Sequence, residues 1–147
     1  MPRPLSGLLV AAATLAFLTP ARALAPTAPQ VVGVYEGRMR IARGRGLTTR
    51  PFAGRLDIES QTGEQFTGHF SSMLSIANEK VEGTVSRTRT LLLTVYHQDD
   101  PTIDDPNPPR TNLMFLSARL NPRLNHLVGS WQDAASTTHG PVNFKRL

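Results

Sequence analysis

The side chains most able to do chemistry crowd one segment: His97, Asp99, Asp100, Asp104 and Asp105. Carboxylates at that density can bind calcium, which takes about six to eight oxygen ligands. The segment lacks the central glycine turn and terminal glutamate of an EF-hand loop, and its four prolines stiffen it. It reads as a solvated loop. The other histidines, His69, His126 and His139, show no ligand pairing at i, i+2 on a strand or i, i+4 on a helix, so no metal site is expected. The serines occupy no G-x-S-x-G elbow, and there is no cysteine nucleophile. Asp57 and Glu59 are spaced to share a strand face, where they form a solvated stripe. Arg38, Arg40, Arg43, Arg45 and Arg50 could pair with phosphate or an acidic partner, although Arg43-Gly-Arg45-Gly opens no phosphate-cradling helix. No residue set identifies a reaction. The expected role is non-catalytic, with no cofactor.

The clearest pattern is structural. Five stretches share a bulky apolar residue, a glycine two positions on, and a second apolar residue two further. They are Tyr35-Glu-Gly37-Arg-Met39, Phe52-Ala-Gly54-Arg-Leu56, Phe66-Thr-Gly68-His-Phe70, Val81-Glu-Gly83-Thr-Val85 and Leu127-Val-Gly129-Ser-Trp131. A spacing of two puts all three residues on one strand face. Glycine weakens a strand, so its recurrence points to a bend, a bulge or a close approach. A sheet curled tightly round its own core is the economical reading.

Strands are expected over about 31–41, 52–59, 65–72, 80–87, 88–98, 111–120, 124–131 and 141–147. Residues 73–79 fit either a helical turn or more strand. Gln61-Thr-Gly63-Glu64 and Asn121-Pro-Arg123 are turns, and 99–110 cannot be a central strand. Eight short strands joined in order predict an all-β fold, a single antiparallel up-and-down meander closed into a barrel because closure removes exposed edges. A sandwich is the alternative. Outward charges such as Glu36, Arg38, Arg55 and Asp57 argue against a barrel set in lipid.

Such an interior is just wide enough for side chains or one small ligand, and inward glycines leave space. Tyr35, Phe52, Phe70 and Trp131 are therefore expected to bury a small, partly apolar ligand, with residues 97–110 over the mouth. The alternative is a filled barrel whose outer face or loops bind another envelope protein, as an interaction or inhibitor module.

The N-terminus reads as a secretory leader: Arg3, an apolar run over 8–18, Pro20, and small residues at Ala21 and Ala23. Cleavage is expected after Ala23, with a disordered lead-in over 24–30 and the barrel domain over 31–147. Removing 23 of 147 residues leaves 124, and losing Arg3 and Arg22 takes the charge from +5 to +3. That is one domain with a modest core, secreted or periplasmic, with no transmembrane segment in the mature chain. The charge is ordinary, so no nucleic-acid partner is expected. Without cysteine, stability rests on strand pairing and the apolar interior.

Phe66-Thr-Gly68-His-Phe70, Leu127-Val-Gly129-Ser-Trp131 and the final Thr138-His-Gly140-Pro-Val-Asn-Phe144-Lys145 resemble strands of avidin-like barrels. Gly33-Val-Tyr35 is similar to the early G-x-W box of lipocalins, with tyrosine in the place of tryptophan. The resemblance implies a small secreted barrel of the calycin type. An avidin-like site would imply several tryptophans, and Trp131 is alone, so biotin binding is not carried over.

Overall fold

In the computed structural model, residues 27–43, 46–47, 50–73 and 75–147 are described. The expected leader over 1–23 lies outside them, as does Arg45 of the basic segment. Ten strands follow in order: β1 (Gly33–Met39), β2 (Ala42–Arg43), β3 (Gly46–Leu47), β4 (Phe52–Thr62), β5 (Gln65–Ser72), β6 (Ser75–Val85), β7 (Thr90–His97), β8 (Thr111–Leu120), β9 (His126–Asp133) and β10 (His139–Arg146). The short β2 and β3 pair only with each other. The other eight form a closed barrel in which each strand pairs antiparallel with the next and β10 returns to β1. This is the all-β up-and-down meander expected from the alternation. No helix among the described residues is long and apolar enough to cross a membrane.

Alternation builds the wall. Along β4, Gly54, Leu56 and Ile58 are buried while Ala53, Arg55 and Glu59 are exposed; β8 buries Met114, Leu116, Ala118 and Leu120 in the same way. Register shifts fall between Ile58 and Ser60, Phe70 and Ser72, and Val95 and Tyr96. Such irregularities raise local twist and help a small sheet close. Residues 75–79, ambiguous in sequence, belong to β6.

The glycines act through close approach. A Cβ on Gly37 would meet the Asn143 carbonyl, one on Gly68 the Asp57 carbonyl, and one on Gly129 the Ser117 carbonyl, each on a paired strand. At Gly54 and Gly83 the space is taken by side chains: Met39 Sδ and Phe144 Cζ lie 2.9 Å from a Cβ on Gly54, and Phe66 Cζ 2.5 Å from one on Gly83. The expectation that inward glycines leave room for a ligand is thus corrected. Backbone or a large aromatic already occupies those spaces.

The two ends differ. At one, the connections are short: β4 to β5, β6 to β7 and β8 to β9. Here Tyr35 is wholly buried and its hydroxyl donates to the Val31 carbonyl at 2.9 Å. Residues 27–32 lie across this end. Val31 is buried, Ala28 packs against the core, and Gln61 is the tether, its Oε1 accepting from Val31 N at 2.8 Å and its Nε2 donating to Pro29 O at 2.9 Å. Residues 27–30, part of the expected lead-in, lie where a side chain distant in sequence, Gln61, holds the backbone. The other end carries the two longest connections, 40–51 and 98–110, together with the shorter 73–74 and 134–138.

Gly68→Ala has no rotamer that relieves its clash with backbone. It should cost about 3 kcal/mol, read as a lower urea midpoint at unchanged slope. Gly63→Ala is the contrast: nothing lies within 4 Å of its Cβ and only its φ of +60° opposes it, for a loss of about 1 kcal/mol.

Candidate functional site

The long-connection end holds a cavity of about 450 Å³, within the size range of small-molecule sites and at a place where barrels commonly carry them. Met39, Phe52, Phe70, Val95, Met114 and Trp131 form its apolar wall, and Ser72, Glu79, Asn112 and Asp133 are among its polar groups. Two larger hollows, of about 630 and 1040 Å³, lie on the outer wall among outward side chains such as Thr84, Leu92 and Phe115 in one and Arg38, Arg55 and Lys145 in the other. The mouth is the hollow that inward-facing side chains enclose.

Of the four residues expected to bury a ligand, Phe52, Phe70 and Trp131 line this cavity. Tyr35 does not. It is sealed at the opposite end beneath Val31, and burial pushes its hydroxyl pKa up, partly opposed by Arg146. Inward phase was legible for Tyr35; depth along the barrel was not.

The aromatic wall is held in place. Trp131 Nε1 donates to the Arg40 carbonyl at 2.9 Å, so its polar edge is satisfied where the chain leaves β1. Phe52 meets the Trp131 ring edge-on, with centroids 6.1 Å apart and planes at 81°, a favoured arrangement for aromatic pairs. A wall fixed in this way loses little entropy when a ligand arrives.

Sequence reasoning missed Glu79 as an inward residue. It is the buried charged side chain of the core, 8% exposed, and stands in step with Val81 and Val85 along β6. Its Oε2 lies 3.0 Å from Nδ1 of His97. His97 follows Leu91, Leu93 and Val95 on the inner face of β7, and its Nε2 lies 3.4 Å from Asp99. The hydrogen bond to Glu79 and that group's charge raise the His97 pKa above its ordinary 6.5; Asp99 adds to the rise and desolvation opposes it. The rest of the acidic loop turns to other tasks. Asp100 pairs with Lys80 at 3.1 Å, Thr102 and Asp105 bond each other's backbone, and Gln98 Nε2 reaches the Pro108 carbonyl at 2.9 Å. Beside it, Arg110 stacks on Tyr96 at 3.8 Å and pairs with Glu82 at 2.7 Å.

The remaining candidates stay apart. His69 pairs with Glu59 at 2.7 Å on the outer wall, His126 bonds its neighbour Asn125, and His139 bonds the Thr137 carbonyl. Arg55 pairs with Glu36 at 2.6 Å. Among the described residues no three His, Cys, Asp or Glu side chains converge to hold a metal. No protein-family model matches the chain, and no curated protein matches it in sequence.

Because the folded pKa of His97 is raised, its pairing with Glu79 stabilises the fold fully below pH 6.5 and is lost as pH climbs through the higher folded value. NMR titration should find the His97 imidazole changing charge above pH 6.5, and Glu79→Gln should bring that midpoint down. An unshifted midpoint in the variant would remove Glu79 as the cause.

Proposed function

We propose that the protein is a non-catalytic binding protein that takes a small, partly apolar ligand at the mouth of its barrel. The observation that carries this reading is the cavity walled by Phe52, Phe70 and Trp131 at the end left open by the short-loop closure. The ligand sits at the mouth rather than along the axis, since large side chains fill the interior below. Burying about 150 Å² of apolar surface contributes about 4 kcal/mol at 25 cal/mol per Å². Association costs take part of that, leaving on the order of 2–3 kcal/mol, so fragment-sized probes bind on the order of 10 mM. The leader-like sequence of residues 1–23 supports action outside the cytoplasm, secreted or periplasmic. The architectural resemblance to avidin-like and lipocalin-like barrels belongs to the same reading.

A second reading, a protein partner on the outer wall, is favoured by the exposure of Leu92, Phe115 and Val128 on the adjoining strands β7, β8 and β9. It requires no occupant at the mouth.

Titration with 2-phenylethanol tests the first reading. The emission of Trp131, the single tryptophan, should shift and saturate. Phe52→Ala should weaken binding about tenfold through lost apolar contact, while Tyr35→Phe should leave it unchanged. Flat Trp131 emission at concentrations well above about 10 mM would sink the mouth-binding reading.

A further inference from the structure

We infer that the occupant of the mouth carries a positively charged amine on its apolar body, with Glu79 as the counter-ion; the inference rests on the mouth-binding reading and names the ligand's chemistry. The charge distribution of the cavity leads to it. Glu79 and Asp133 are the carboxylates in its lining, and no lysine or arginine is among the described residues there. Both acids project from inner strand faces: Glu79 in step with Val81 on β6, Asp133 in step with Trp131 on β9. One Asp133 oxygen accepts from Ala135 N at 2.7 Å, which keeps its carboxylate at the rim. An anionic ligand would meet the Asp133 carboxylate and that of Glu79, which His97 offsets in part, in a partly desolvated space where repulsion is weakly screened. A neutral ligand would gain only apolar contact. A primary ammonium gains a charge-assisted hydrogen bond to a carboxylate and attraction to the aromatic faces of Trp131, Phe52 or Phe70.

His97 fits the same reading. Its imidazole reaches Glu79 at 3.0 Å while its own side chain remains half-exposed at the rim. It supplies a hydrogen-bond donor to the buried carboxylate, and a ligand ammonium can replace it by displacing an exposed ring outward. A buried carboxylate whose donor sits half-exposed at the rim can exchange that donor for a ligand's.

The experiment compares three probes of one shape on the full chain: 2-phenylethylammonium, 2-phenylethanol and 3-phenylpropionate, titrated against Trp131 emission and checked by NMR shifts of the Trp131 indole proton. The expected order is ammonium, then alcohol, then carboxylate, with at least tenfold between the first two. Glu79→Gln should abolish the ammonium's advantage over the alcohol. Alcohol or carboxylate binding as tightly as ammonium overturns the inference and leaves the mouth-binding reading standing. Failure of all three probes to bind overturns both. A Glu79→Gln protein that retains the full ammonium preference removes Glu79 as counter-ion. The order of the three probes on the unaltered chain decides the sign of the charge, so the inference stays falsifiable if the variant fails to fold.

Discussion

Everything in this molecule depends on how closely its strands approach at the inward glycines. At Gly37, Gly68 and Gly129 the carbonyl of a paired strand occupies the place a Cβ would need. That approach lets eight short strands close on a core without disulfides. It also decides where a ligand cannot go. A barrel drawn this tight has its axis filled by Phe66, Phe144, Met39 and the aliphatic residues of the wall, in line with the narrow interior of eight-stranded barrels. Space for a guest exists only where the packing runs out, at an end.

The ends divide the work. One is finished by short connections and sealed by Tyr35, Val31 and the backbone that Gln61 tethers. The Tyr35 hydroxyl and the Val31 amide are satisfied there within the protein, and this end contributes stability. The other carries the two longest connections, 40–51 and 98–110, and loops set on a rigid scaffold are where binding residues concentrate. Its apolar side chains are anchored from outside the cavity, as the Trp131 bond to the Arg40 carbonyl shows. The aromatic wall is therefore firm even though the end is open.

The strands were legible where alternation is unbroken. Residues 65–72 and 111–120 became β5 and β8 at the expected bounds, because each alternates buried and less buried positions over most of its length, 65–70 and 113–120. The first half of β6 was not legible. Serine and alanine before Asn78 give no contrast between faces, so the phase of Glu79 went unread. The signal was present one step later, in the alternation of Glu79, Val81, Gly83 and Val85, and the same count from Leu91 puts His97 inside. The candidate site was legible in part: Phe52, Phe70 and Trp131 were named from residue type and phase, and they meet at one mouth. Tyr35 shares their type and phase but lies at the far end, since periodicity reports face and not depth. The tether on residues 27–30 was beyond sequence reading for another reason. A proline- and alanine-rich segment looks unstructured by composition, and the Gln61 side chain that holds it lies some thirty residues away.

Glu79 is where local rules and the fold disagree. A carboxylate on the inner face of a barrel strand loses solvation, and an apolar residue of similar volume there is often neutral or stabilising. The fold instead keeps the acid and supplies His97 as a partner from the neighbouring strand at the rim. Departures of this kind concentrate at functional positions. The partner here is also the more exposed of the two side chains, so the pair can open toward solvent without disturbing the packing beneath it. One deep acid and one shallow base is the arrangement that leaves the acid reachable from outside.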